Sequence, residues 1–331
     1  MPNPYISGTG FYLPPKVINN HDLSKFMDTS DEWIKERTGI NERRYVEPGI
    51  GPSDIAIPAV EQALSSAGLE ICDIDFIIFA TSTPDYYAPG AGCLLQDKMG
   101  FNEIGALDIR VQCSGFIYGL SIAEQYIRTG TFKNILLIGA EVQSTAMNLS
   151  DEGRDTAIIF GDGAGAAIVS STEEKKGILS THMHSEGKYV KELWVESPAS
   201  NAGNPRINSK DLDQGKQFLK MNGSEVFRHA VKRFPEVIYE GLKYNKLGPE
   251  DINLLIPHQA NLRITKMVQK KLGLQDHQVF SNIHKYGNTT AATIPIALAE
   301  AVNQQKINDN DIIVFAAFGS GFTWASAIIK W

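Results

Sequence analysis

The sequence of 331 residues holds only three cysteines, Cys72, Cys93 and Cys113, none in a CxxC pair. So sparse and odd a set excludes a disulfide scaffold and a clustered zinc site. Long apolar runs are also lacking, since stretches such as Phe76-Ile-Ile-Phe-Ala80 fall far short of the roughly 18 residues a membrane helix needs. Met1-Pro-Asn-Pro-Tyr5 offers no basic region followed by an apolar stretch, so no secretory signal is expected. Basic excess is absent too: 31 Lys and Arg against 38 Asp and Glu give a net charge of −7, which disfavours nucleic-acid binding. There is no low-complexity tract and no block of like charge. What is present is ordinary globular composition, 43 % hydrophobic and 21 % charged, enough to bury a large core. The expectation is a soluble, reduced, cytoplasmic protein without membrane or nucleic-acid partners, about two domains long.

Short β-rich runs alternate with segments of helical periodicity, the pattern of an α/β layered fold. The strand-like runs are Ile74–Ala80, Ile135–Gly139, Ala164–Val169, Ile252–Ile256 and Ile312–Ala316; Ser114–Arg128 and Leu262–Leu272 read as helices. The pattern repeats. Cys72-Asp-Ile-Asp-Phe-Ile-Ile78 resembles Glu250-Asp-Ile-Asn-Leu-Leu-Ile256, Gln96-Asp-Lys-Met-Gly100 resembles Gln269-Lys-Lys-Leu-Gly273, and the strand at Ile135 matches that at Ile312. Similar offsets in the same order point to a duplication with halves 1–175 and 176–331. On this register Cys113 and Asn288, 175 residues apart, are expected at equivalent places, each at a helix N-terminus facing one pseudo-twofold axis.

Cys113 is the candidate nucleophile. It precedes a helix, whose positive end is expected to lower its thiol pKa, and it is followed by the small Ser114 and Gly115. Cys72 and Cys93 have no helix start beside them and read as structural. His258 follows a strand through Pro257, at a carboxyl-terminal strand edge where α/β proteins place sites. The order Cys, His, Asn also fits a papain-like protease, whose His lies about 130–150 residues after the Cys. Gln112-Cys-Ser-Gly-Phe116 lacks that family's local signature, however, and the duplication argues against it. Phe160-Gly-Asp-Gly-Ala-Gly165 runs into a β-type sequence, so it reads as a tight turn or a close backbone approach rather than a phosphate loop. Phe318-Gly-Ser-Gly-Phe322 follows a strand and can present N–H groups to an oxyanion. Arg263-Ile-Thr-Lys-Met-Val-Gln-Lys-Lys271 carries four positive charges and no acid, with Arg263, Lys266 and Lys270 on one helix face, which suits an acidic partner or a phosphate.

Ile6-Ser-Gly-Thr-Gly-Phe-Tyr-Leu-Pro14, Asp28-Thr-Ser-Asp-Glu-Trp-Ile34, Arg37-Thr-Gly-Ile40, Phe160–Gly165, His258-Gln-Ala-Asn-Leu-Arg263, Gly287-Asn-Thr-Thr290 and Phe318–Trp324 occur in order along nearly the whole chain. Together they resemble one family, the β-ketoacyl-acyl carrier protein synthases III of the thiolase-like superfamily. The resemblance implies a duplicated α-β-α-β-α five-layer fold and an acyltransferase active as a homodimer. Its reaction is a decarboxylative Claisen condensation of an acyl-CoA primer with malonyl-acyl carrier protein, giving 3-oxoacyl-acyl carrier protein and initiating fatty-acid biosynthesis. A related synthase using longer or branched acyl-CoA in specialised lipid or polyketide metabolism is the alternative. Catalysis is implied for Cys113, His258 and Asn288, with the backbone N–H groups of Cys113 and Ser320 as oxyanion donors. CoA contacts are implied for Thr29, Trp33, Arg37, Arg154 and Asn261. Carrier-protein docking is implied for Gln259, Ala260, Asn261, Leu262, Arg263, Lys270 and Lys271. No metal or redox cofactor is implied; the substrates are acyl-CoA and malonyl-acyl carrier protein. Two positions depart from the family pattern: Ser114 replaces the usual Ala, and Ala88, beside Tyr86 and Tyr87, stands where acetyl-using members carry a large aromatic that closes the acyl tunnel. Room at Ala88 leads to an expectation of primers longer than acetyl, unless Tyr86 or Tyr87 fills it.

Overall fold

The computed structural model describes residues 2–331. Two sheets dominate it. The first takes β1 (Asn3–Tyr12), β2 (Phe76–Ala80), β3 (Gly105–Ile109), β4 (Asn134–Glu141) and β5 (Gly163–Thr172), in the order β1-β5-β4-β2-β3. The second takes β6 (Gly177–Ser185), β7 (Leu254–Pro257), β8 (Ile312–Gly319) and β9 (Thr323–Lys330), in the order β6-β9-β8-β7. Their ladders repeat one another. β1–β5 and β5–β4 are antiparallel and β4–β2 parallel; β6–β9 and β9–β8 are antiparallel and β8–β7 parallel. Where β3 pairs parallel with β2, the second sheet has only a parallel bridge between Leu255 and Val279.

Helices fill the layers around these sheets. Phe116, Leu120 and Ile127 of α4 (Gly115–Arg128) pack with Ile294 and Leu298 of α7 (Thr293–Asn303) between the two sheets. There they meet Ile78, Leu137 and Val169 from one side and Ile256, Phe315 and Ala327 from the other. Strand side chains alternate, so the neighbours Ile77, Phe79, Leu136 and Ile138 face the opposite way, onto α2 (Pro52–Ala67) and α3 (Ala91–Met99). Leu255, Val314, Phe318 and Ile328 likewise face α5 (Gly223–Tyr244) and α6 (Leu262–Leu272). Strands covered on both faces read as continuous apolar runs, as these do. The result is the expected five-layer α-β-α-β-α architecture.

The structure sharpens the repeat. α3 and α6 end on Gly100 and Gly273, with φ of 71° and 70°, a left-handed cap for which glycine is suited. The glycines of the Phe160–Gly165 segment permit close packing: a Cβ on Gly165 would lie 2.6 Å from the Ile296 nitrogen of α7. Two expectations need correction. Cys93 lies in the first turn of α3, and both Cys93 and Cys72 are exposed rather than buried. That helix start escapes notice in the sequence because Gly90 supplies no capping side chain. Its first N–H groups, those of Ala91 and Gly92, donate instead to the distant Asp108 carboxylate at 2.6 and 2.9 Å.

Candidate active site

Cys113 sits in a short 3₁₀ turn, Gln112–Ser114, that leads into α4; a matching turn, Thr290–Ala292, leads into α7. Gln112 and Thr290 both adopt left-handed φ, 43° and 51°, a conformation that is strained for a β-branched residue such as Thr290. These paired turns put Cys113 opposite Ala291. Asn288 lies three residues earlier and is the counterpart of Arg110, which corrects the equivalence of Cys113 with Asn288 expected from their spacing. The helix starts do meet: a Cβ on Gly115 would lie 3.4 Å from the Ala291 Cβ.

The thiol does not behave as a helix start alone would make it. Cys113 is buried, and burial pushes its pKa up to about 12, with the nearby Glu141 carboxylate adding to the rise. The backbone N–H groups of Cys113 and Ser320 act in the opposite sense and favour the anionic form without overcoming burial. The expected lowering of this pKa is therefore corrected, since desolvation outweighs the helix terminus. One consequence is measurable. At neutral pH the buried thiol is therefore protonated, so alkylation of Cys113 by iodoacetamide should be slow and rise steadily with pH from 7 to 10. Peptide mapping separates it from Cys72 and Cys93; a plateau below pH 8 would show an activated thiolate instead.

His258 extends from β7, its N–H bonded to the Ala316 carbonyl at 2.7 Å. Its ring is 2 % exposed, with Nδ1 lying 2.6 Å from the Thr293 hydroxyl. Burial lowers its pKa to about 3, so the imidazole is neutral at working pH. Asn288 is also buried; its Oδ1 accepts the Thr290 N–H at 2.8 Å, which turns the amide NH₂ away from the turn. Ser320 follows β8, with its hydroxyl donating to the Leu193 carbonyl. Ser114 is buried, and its hydroxyl accepts from Thr323 at 3.1 Å.

Some of this machinery has no sequence signal. Glu141, at the end of β4, is fully buried, and its carboxylate accepts from Ser82 and Thr83 hydroxyls at 2.8 Å each; burial raises its pKa to about 7. Gln143 donates to the Thr290 hydroxyl at 2.9 Å and to the Ser82 hydroxyl at 3.1 Å. These residues link the loop before Tyr86 to the turn carrying Asn288. Only a tertiary structure reveals them.

A second cluster lies on α1 (Asp31–Thr38) and its surroundings. The Arg37 and Arg154 guanidiniums lie 4.2 and 4.8 Å from the Trp33 ring centroid, and Arg154 Nη1 donates to the Asp28 carbonyl at 2.7 Å. Thr29 Oγ1 is buried without a partner. Asn261 caps α6, its Oδ1 accepting the Arg263 N–H, while its Nδ2 donates to the Arg37 carbonyl at 2.9 Å. Trp33, Arg37, Arg154 and Asn261 are thus gathered along one line of contacts, and Arg154 reaches the residue before Thr29.

The basic helix is only partly what its spacing suggested. Arg263, Lys266, Lys270 and Lys271 are exposed, but Lys266 is paired with Asp276 at 2.8 Å. Gln259 is 1 % exposed and accepts from Ser281 and the Asn282 N–H. It braces the core and offers no docking surface, a correction to the expected face. Ala260 packs against the α5–α6 core and Leu262 against the cluster around Ile34 and Phe160. Tyr86 and Tyr87, beside Ala88, are 61 % and 69 % exposed, and Arg206 lies 4.5 Å from the Tyr87 ring. Neither tyrosine is buried in its own chain.

Comparison with known proteins shows the family. Residues 107–187 match the family model described as 3-oxoacyl-[acyl-carrier-protein (ACP)] synthase III, and residues 242–331 match the model of its C-terminal part. A β-ketoacyl-[acyl-carrier-protein] synthase III of Caldanaerobacter subterraneus is 46 % identical over 326 residues, covering 98 % of this chain and 97 % of that protein. One from Clostridium tetani is 44 % identical, covering 98 % of both. The crystal structure of 3-oxoacyl-[acyl-carrier-protein] synthase III from Aquifex aeolicus superposes with a TM-score of 0.90 at 42 % identity, covering 99 % of this chain and 100 % of that one. With relatives this similar along their full lengths, the chain belongs to the β-ketoacyl-acyl carrier protein synthase III family.

Proposed function

We propose that this protein condenses an acyl-CoA primer with malonyl-acyl carrier protein, releasing CO₂ and giving 3-oxoacyl-acyl carrier protein, the first condensation of fatty-acid synthesis. The observation that carries it is the buried Cys113 beneath the N–H groups of Cys113 and Ser320, set in a fold shared with full-length family members. The sulfur attacks the thioester carbonyl; the acyl–sulfur bond to CoA breaks, and the thiol proton leaves with the CoA sulfur. Those two N–H groups stabilise the oxyanion formed on the way. Malonyl-acyl carrier protein then enters, and His258 and Asn288 donate to its thioester carbonyl. The C–C bond to the carboxylate breaks, CO₂ departs, and the enolate carbon attacks the acyl-enzyme, breaking its C–S bond and expelling the Cys113 thiolate, which takes up one proton from solvent to restore the thiol. A neutral imidazole supports a hydrogen-bonding role for His258. Trp33 between Arg37 and Arg154 supports adenine stacking and phosphate pairing, with the unpartnered Thr29 hydroxyl beside them. The relatives do not favour the specialised-metabolism alternative, and family membership sets aside the protease reading. The two halves, 1–175 and 176–331, act together, each contributing residues to one site.

Incubation with acyl-CoA, then intact-mass measurement before and after adding malonyl-acyl carrier protein, tests the reading. The expected result is an acyl adduct on Cys113 that disappears with formation of 3-oxoacyl-acyl carrier protein; no adduct overturns it. Run with acetyl-, isobutyryl- and octanoyl-CoA, the same measurement addresses the primer. The small Ala88, with Tyr86 and Tyr87 turned outward, supports chains longer than acetyl, each buried CH₂ contributing about 0.8 kcal/mol. A clear acetyl-CoA preference that survives Tyr86→Ala and Tyr87→Ala would overturn that.

The outer edge of β3 is unpaired in the single chain, which supports a homodimer, to be read by light scattering. Arg263, Lys270 and Lys271 support docking of an acidic carrier protein. Reversing Arg263 and Lys270 to Glu should raise the KM for malonyl-acyl carrier protein roughly tenfold at low salt, with little change in acylation by acyl-CoA. The effect should fade as salt rises. Unchanged KM would make the charges an ordinary solvated face.

A further inference from the structure

Thr293, the first residue of α7, holds its hydroxyl 2.6 Å from His258 Nδ1 and 3.0 Å from the Thr290 carbonyl oxygen. A hydroxyl has one proton to give. The Thr290 carbonyl is already satisfied by the backbone N–H of Thr293, and with its second lone pair it competes for the hydroxyl proton only at 3.0 Å, against 2.6 Å to Nδ1, which has no other partner among the described residues. Both Thr293 and His258 are 2 % exposed, so bulk water does not compete. We propose that Thr293 is a positioning residue whose hydroxyl donates to Nδ1, holding His258 in the Nε2–H form so that the ring meets substrate as a hydrogen-bond donor. The proposal rests on the condensation reading above and adds what fixes the imidazole for it.

The alternative arrangement has Nδ1–H donating to Thr293 and leaves a lone pair on Nε2. That lone pair would repel a developing enolate oxygen and would suit His258 as a base for the Cys113 thiol. Which nitrogen carries the proton therefore decides what the histidine can do. Burial keeps the ring neutral, so the choice is between two tautomers. The turn that places Thr293 is tightly determined. Thr290, left-handed at φ 51°, is held by Asn288 Oδ1 on its N–H and by Gln143 Nε2 on its hydroxyl. One turn thus sets the amide of Asn288 and the tautomer of His258 together.

The test uses the full-length protein labelled with ¹⁵N-histidine and long-range ¹H–¹⁵N correlation at pH 7, with His258 identified by its absence in His258→Gln. The wild-type ring should show a protonated Nε2 and an unprotonated Nδ1. Thr293→Val keeps the side-chain shape and removes the donor; it should shift the ring toward Nδ1–H and slow malonyl decarboxylation about tenfold or more relative to Cys113 acylation. Thr293→Ser should restore both. A wild-type ring protonated at Nδ1 overturns the proposal whether or not the valine variant folds. So does a valine variant that retains Nε2–H and full decarboxylation. Absence of any acyl adduct on wild-type Cys113 would overturn the condensation reading instead, and the tautomer spectrum distinguishes that failure from this one.

Discussion

Cys113→Ser should lose acyl transfer from acyl-CoA by at least about 10³-fold, while His258→Ala and Asn288→Ala still load Cys113 and fail at decarboxylation. The asymmetry follows from burial. Even the sulfur of Cys113, in its dry setting, is pushed up to about 12, and an alkoxide in the same place is harder still to form. A serine would keep the space and the N–H groups yet lack a nucleophile that gives up its proton during attack. His258 and Asn288 stand in a different position. In the proposed mechanism each supplies one hydrogen bond to an oxygen on which charge develops as CO₂ departs, and removing one such donor costs on the order of 10²–10³-fold. Because burial lowers His258 to about 3, its own protonation occurs only near that pH. Decarboxylation by the loaded enzyme should therefore keep its rate from pH 8 down to pH 5 as far as this ring is concerned. Intact-mass kinetics of loading, together with CO₂ release from malonyl-acyl carrier protein, separate the two half-reactions. If His258→Ala stopped loading as completely as Cys113→Ser, the imidazole would be the base for the thiol, and this division of labour would fall.

Much of the fold is legible because its strands are buried on both faces. Phe76–Ala80 and Ile312–Ala316 are continuous apolar runs for that reason, and α6 is bounded in the sequence by its Asn261 cap and by Gly273. The duplication is visible in such runs and in the glycine ends of α3 and α6. Its register is less so. The spacing of Cys113 and Asn288 suggests equivalence, but the left-handed Gln112 and Thr290 pair the turns differently, and backbone conformation at a non-glycine residue has no one-letter signature. Cys113, His258 and Asn288 stand out in the sequence through their motifs. Their surroundings do not. Gln259 looks like a surface amide beside a basic helix, yet it braces the core, because a polar letter does not disclose whether its partners come from water or from Ser281 and Asn282. Glu141 likewise reads as one acid at a strand end. Its distinction, burial beside the thiol among hydroxyl donors, exists only after residues 82, 83, 113 and 141 are folded together.

Adding one methyl group at Gly319 should slow acylation of Cys113 by about 10²-fold or more, although this residue carries no chemistry of its own. Gly319 ends β8, whose ladder with β9 runs to the pair Gly319–Thr323, so its backbone is fixed on one side. A Cβ there would lie 2.7 Å from the Cys113 Cβ, 3.1 Å from its Sγ and 3.2 Å from its nitrogen. Distances below 3 Å require movement. Cys113 cannot give way cheaply: its side chain is short, and the preceding Gln112 is held at φ 43°. Displacement would separate the sulfur from the Ser320 N–H, the next residue after the added methyl, and so would disturb the proposed nucleophile and the proposed oxyanion donor together. Gly187→Ala is the control, being exposed with nothing within 4 Å of the added carbon. The measurement is the single-turnover rate of acyl adduct formation by intact mass, with circular dichroism establishing that each variant is folded. A folded Gly319→Ala protein that acylates at the wild-type rate would show that the nucleophile tolerates a shift of this size, and that glycine is not required where β8 passes beneath the thiol.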